Sequence, residues 1–468
     1  MHQPEPLLAG TGRCDITPAP GTPQGGWGAQ THQRGDRADM PFHATALALR
    51  QGGQSAVIVE LDAIGFDAPY TARLIQAVAE LTRLSPSSIR ISCSHTHSGP
   101  NTFRLANISE GRDMAESYLD ALPQRIAGAA WQALSSLQPV RVAAGDGHCR
   151  INRKRRVRVD GRTVVGCDPG APADHSLRVV RFDSLDGRTV ATLLNYACHG
   201  TTIAWQSRSF TPDFPGPARA VVEQHLGGRC LFLQGAAADL GPREGFSGDL
   251  ALYRRLGTEL GLAAAHTAIA LETLPRRPML TGVIRSGADI ALYDLLPVEP
   301  TPPLLRVVAR DVELPIRQLP PVAEIEAELA RLRANVARLR SQGNAEELSL
   351  ANALATQCGW RAANARAYGG RATAPWPLQA IAIGPVILLS VAGEPFSSLG
   401  QEIAAQSPFP FTLFSGYSNG GFGYIPDLAA YTEGGYEIEA TPFAPEAGER
   451  LCREALALLK ELAQEVLA

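Results

Sequence analysis

No stretch of this chain is apolar for long enough to cross a bilayer. The longest candidate, Leu378 to Gly393, is interrupted by Gly384 and Pro385 and falls short of the roughly 20 residues a spanning helix needs. The opening MHQPEPLLAGTGRCDITP lacks the basic region and apolar core of a secretory signal, so a cytoplasmic location is expected. The eight cysteines contain no CxxC pair, and a chain of 468 residues has no need of disulfide staples, which points to reduced, mostly buried thiols. Charge of one sign is missing too. With 43 Lys and Arg against 46 Asp and Glu, the net charge of -3 provides no field for nucleic acid or an anionic membrane surface. There is no internal repeat and no low-complexity tract. What is present is a globular composition, 45% hydrophobic and 19% charged, with enough length for a large packed core.

The apolar patterning alternates between strand and helix. QSAVIVELD (54–62) reads as a buried strand, Pro69 to Thr82 as a helix, and Ile89 to Ser94 as a short strand running into HTHSGP. ATLLNY (191–196) leads into ACHGTT, and CLFLQ (230–234) into GAAADLGP. Pro217 to Leu226 reads as a helix, with prolines in its first turn where they are tolerated. The proline-punctuated segment 275–303 reads as a sheet excursion or an inserted arm. Val322 to Arg340 carries apolar residues at three and four spacing, the pattern of a helix packed by one face. Two strands are expected within Leu378 to Val391, another at Phe411 to Ser415, and a closing helix at Ala447 to Leu467. The fold class this supports is α/β, mixed sheets in layers flanked by helices, with loops at strand ends carrying the functional groups.

Several polar residues stand at such ends. His95 and His97 are two apart after a strand, so both rings point to one side and can meet a single metal; on spacing alone a surface loop or hydrogen-bonded pair fits as well. His199 follows another strand. Glu394 follows one of the most apolar strands, where an unpaired carboxylate is costly and calls for an arginine or a metal. Tyr424 lies in the Gly-rich loop SNGGFGYIPD, where an aromatic anchor would also serve.

Taken in order, GRCDITP, HTHSGP, CHGTT, AGEP and SNGGFGYIPD with GGYEIEATPFAPEAGERL resemble the neutral (non-lysosomal) ceramidase family over nearly the whole chain. The resemblance implies a neutral-ceramidase-like catalytic domain over residues 1–468, with an inserted arm and helix at about 275–370. It also implies one zinc ion held by His95, His199, Glu394 and Tyr424, with activated water attacking an amide carbonyl. His97 would then shuttle a proton, and Arg153, in RINRKRR, would lie near the reacting carbonyl. Asp239 would orient a ligand, although a helix N-cap is an equal reading. Where the family often has Ser or Thr before proline, this chain has Gly241 before Pro242, which excludes a serine nucleophile there. The Ig-like C-terminal domain of the family has no counterpart in this sequence.

These features lead to the expectation of a zinc-dependent amidohydrolase for an N-acyl amine or a small or cyclic amide. Ceramide hydrolysis, ester or lactone hydrolysis by the same ion, and a non-catalytic binding protein on the same fold are the alternatives. The expected partner is a small-molecule or lipid amide. The sequence leaves the oligomeric state open.

Overall fold

The structure is a computed structural model that describes residues 5–103 and 108–467. Its larger sheet has eight strands in the order 229–234, 189–196, 176–184, 138–148, 8–15, 43–51, 54–61 and 89–93. Neighbours are antiparallel except at the two edges, where 189–196 runs parallel to 229–234 and 54–61 parallel to 89–93. The sheet curls until these edges meet. Gln234, at the end of one edge strand, donates to the carbonyl of Ser94, just past the other, at 3.2 Å. The second sheet has four strands: Leu305–Pro315, Thr373–Ile383, Val386–Val391 and Phe411–Ser415.

The two sheets pack face to face. Leu47, Ile58, Phe182 and Leu231 of the larger meet Ile381 and Leu388 of the smaller in one apolar layer. Helices cover the outer faces. Ala68–Thr82 and Arg112–Ser135 lie on one half of the large sheet, and Pro215–Leu226 and Leu250–Ile269 on the other. Ser397–Gln406 and Ala447–Val466 cover the small sheet. Patterning accounts for these placements. Every residue of Val386–Val391 is buried, the uniform run of a strand covered on both faces, whereas Ala447–Val466 buries Leu451, Ala455, Leu458 and Leu462 at helical spacing.

The expected break at Gly384–Pro385 is a tight turn between Thr373–Ile383 and Val386–Val391. Gly384 adopts φ +55° there, where a Cβ would meet Pro303 at 2.7 Å. Residues 276–297 form a two-stranded antiparallel hairpin, Arg276–Ser286 with Ala288–Pro297. The helix read at 322–340 extends to Val322–Gln342 and is followed by a second, Ala345–Tyr368, whose Ala-rich sequence carries no clear apolar face. Among the described residues no helix is long and apolar enough to cross a membrane.

Candidate metal centre

The meeting of the two sheet edges brings three histidines together. His95 leaves the strand Ile89–Cys93 in the left-handed region, φ +64°, held there by its N–H on Ala63 O at 2.9 Å. His199 follows Thr189–Tyr196, its N–H donating to Leu240 O at 3.0 Å. The N–H of His97 donates to Gly200 O at 3.0 Å. This approach requires glycine at 200, because a Cβ would stand 2.4 Å from His95 O.

Each ring is oriented by a backbone carbonyl. Nδ1 of His95 meets Ile64 O at 2.5 Å, that of His97 meets Gly26 O at 3.0 Å, and that of His199 meets Ala237 O at 3.1 Å. A carbonyl can only accept, so all three Nδ1 atoms carry the proton and all three Nε2 atoms present lone pairs. His95 Nε2 lies 3.0 Å from His199 Nε2 and 3.3 Å from His97 Nε2. Lone pairs this close repel one another, and a cation among them converts the repulsion into ligation.

Glu394 completes the cluster. Its Oε2 lies 3.5 Å from His95 Nε2 and 3.7 Å from His199 Nε2, buried and without a hydrogen-bond partner. The three Nε2 atoms could hold a metal ion, with His97 on the more exposed side of the group, and the orphaned Glu394 oxygen stands beside the two buried rings, His95 and His199, so the donor chemistry fits the ion that the motifs imply. Protons compete poorly for the histidine nitrogens. Burial lowers the pKa of His95 to about 3 and that of His199 well below the usual range. Burial also raises Glu394 to about 7, against the pull of the Arg155 charge and a hydrogen bond from Tyr424.

Tyr424 reaches the cluster through a two-residue parallel pairing, Glu394 with Tyr424 and Pro395 with Ile425. Its hydroxyl also accepts from Arg155 Nη2 at 3.3 Å. Arg155 is buried, ion-paired with the equally buried Glu437 at 3.0 Å, and stays protonated: burial opposes the charge, but Tyr424 and Glu437 outweigh it. Arg153 is not brought to this cluster. Its guanidinium donates to the carbonyls of Arg150 and Asn152, and the arginine beside Tyr424 is Arg155, two positions on. Asp239 accepts from the backbone N–H of Ser397 at 2.7 Å and ion-pairs with Lys154. It thereby satisfies the first turn of the helix after Glu394, so the capping reading applies, with the cap supplied from a distant segment.

Three contributors were not singled out from the sequence. Gln234 Nε2 donates to Ser94 O and, at 2.7 Å, to Cys198 O, the residues immediately before His95 and His199. Tyr417 sits at φ +57° with its ring centroid 4.4 Å from that of His95 and its buried hydroxyl without a partner. The helix Ala345–Tyr368 supplies Trp360 and Tyr368 to a cavity of about 240 Å³ whose floor includes His95, His97, Glu394 and Tyr424. The signal for Tyr417 was its place in the same Gly-rich segment as Tyr424; for Gln234 it was a polar residue closing an apolar strand.

Layered mixed sheets with a histidine and carboxylate cluster at strand ends define the class of scaffold. No protein-family model matches the chain, and no curated protein matches its sequence. Among solved structures it is similar to the neutral ceramidase from Pseudomonas aeruginosa, with TM-score 0.68 and 18% identity over 98% of this chain and 75% of that one. It is also similar to a ceramidase complexed with C2, with TM-score 0.67 and 17% identity over 99% of this chain and 76% of that one. The chain has the neutral-ceramidase fold, in agreement with the resemblance carried by its motifs.

Proposed function

We propose that this protein is a zinc-dependent hydrolase that cleaves a carboxamide with metal-activated water, using one ion held by His95, His199, Glu394 and Tyr424. The observation that carries the reading is the convergence of lone-pair nitrogens on an orphaned, buried Glu394 oxygen. Bound there, zinc would lower the pKa of a coordinated water to about 7 and polarise the substrate carbonyl.

The chain's own residues supply the rest. His97 is half-buried and lines the cavity, whereas His199 lies behind it, so His97 is the imidazole placed to pass a proton to the departing amine. Its ring is braced by Trp27, whose centroid is 5.1 Å away. Tyr424, which lines the cavity, presents its hydroxyl to oxyanion charge developing on the carbonyl, and the buried Arg155 behind it holds that hydroxyl and adds a fixed positive charge. Asp239 and Gln234 position these groups without touching substrate.

The cavity walls are largely aromatic and aliphatic: Phe103, Trp360, Ala363 and Phe422 face the cluster. An apolar end of the amide is therefore seated next to the metal. A volume of about 240 Å³ is small against the usual 300–1,000 Å³ of ligand sites and favours a compact N-acyl amine over a molecule with two long chains. Ceramide is the second reading, supported by the apolar walls beside His95 and Glu394. Matched amides and esters, tested on protein of measured zinc content with and without chelator, separate amidase from esterase. Loss of all turnover on zinc removal is expected, and full turnover without metal would end the proposal.

A further inference from the structure

The hairpin 276–297 projects from the body with both faces bare. Every residue of its two strands is exposed except Gly282, which is half-buried. The exposed side chains are large and apolar: Leu280 and Tyr293 are 57% exposed, Val283 63% and Leu295 57%. The pairs Leu280–Tyr293 and Ile284–Ile290 fall on opposite faces, because the bulge at Thr281 shifts the register between them. A lone two-stranded ribbon is marginal in water, and this one offers apolar side chains on each side. Further exposed apolar residues stand near its root. Leu185 is 54% exposed and Ile269, at the end of the preceding helix, 60%. Arg141 ties the Leu185 carbonyl to Glu299, just past the hairpin.

We propose that the hairpin is an association arm and that its occupant is a second copy of this chain, joined edge to edge through Ala288–Pro297. The two edges of the arm differ. Arg276–Ser286 contains Pro278, which has no N–H to donate, and the bulge at Thr281, both of which block strand addition. Ala288 to Leu296 carries neither, so its outer edge offers an unbroken row of backbone groups. Two such edges pair antiparallel about a two-fold axis, an arrangement that makes one strand complementary to itself. Strands of eleven and ten residues at about 3.4 Å per residue give an arm roughly 35 Å long.

A bilayer fits the arm less well. The tip carries Arg285, Ser286 and Asp289, and an open ribbon would bring unpaired edge N–H and C=O groups into hydrocarbon.

The test is sedimentation velocity of the full chain across a concentration series, with the double variant Ile290→Lys/Leu292→Lys and the edge variant Ala291→Pro. Circular dichroism and zinc content serve as folding controls, since the arm lies outside the buried core. Wild type is expected to sediment as twice the 49.8 kDa chain. Each variant should weaken association by at least about thirtyfold, the effect of losing one hot-spot contact. A wild type that is monomeric at tens of micromolar overturns the proposal, as does a dimer indifferent to both variants. Flotation of monomeric wild type with phosphatidylcholine–phosphatidylglycerol vesicles, lost in Ile290→Lys/Leu292→Lys, would assign the arm to a membrane instead and equally overturn it.

Discussion

His95 and His199, 104 residues apart in the chain, face each other Nε2 to Nε2 at 3.0 Å with both Nδ1 atoms committed to backbone carbonyls. Only a proton or a metal can sit favourably between two such lone pairs, and burial holds His95 down to a pKa of about 3. His95→Ala, His199→Ala and Glu394→Ala are each expected to lose zinc, with a drop in affinity beyond the roughly 10–100-fold that outer partners cost. Metal analysis after dialysis against a chelator of known affinity measures this. Stoichiometric zinc in Glu394→Ala would remove the carboxylate from the shell.

Gln234 sets the spacing of those histidines by donating to the carbonyls of Ser94 and Cys198. Gln234→Leu leaves both carbonyls without that donor, at a cost of about 1–3 kcal/mol. Zinc affinity should fall by about 10–100-fold while the fold persists, since Gln234 orients ligands and binds none. Thermal unfolding with and without added zinc separates the two effects.

The legibility of the site in the sequence follows from what is local. His95, His199 and Glu394 each follow an apolar strand, and such strand ends can be read from composition. The apolar run at 378–391 gave its two strands because Gly384–Pro385 marks the turn. The helix Ala345–Tyr368 was not legible: it is nearly Ala-periodic, and its apolar side faces a cavity and a neighbouring helix rather than a continuous core. Arg155 could not be told from Arg153 by pattern, since alternate strand positions face one side and only the partners Tyr424 and Glu437, far along the chain, select between them.

That selection can be tested directly. Arg155→Ala, which removes the charge that holds the Tyr424 hydroxyl, is expected to lower kcat by about 100-fold, whereas Arg153→Ala should stay within a few-fold of wild type. Tyr424→Phe should keep most of its zinc and lose rate. Steady-state kinetics with metal content measured on the same samples gives all three outcomes.

The pH dependence of zinc binding has a definite sign. In the empty site, Glu394, raised to about 7, holds a proton at pH 6, while His95, lowered to about 3, does not. Binding then displaces one proton below pH 7, from the carboxyl group, and none from His95. Affinity should be level above pH 7 and fall about tenfold per unit between pH 7 and 5. Competition against a chelator across that range checks the slope. A slope of two or more would mean either that the histidines are protonated in the folded protein or that Tyr424, raised well above its usual range by burial, gives up its proton to the metal.

The most direct test is hydrolysis of a short-chain ceramide and a panel of small N-acyl amides by protein of known zinc content, beside a chelator-treated sample and the same sample with zinc restored. Cleavage of at least one amide that disappears with the metal and returns with it is expected. Turnover that survives zinc removal, or a zinc-loaded protein that cleaves none of these amides, would contradict it.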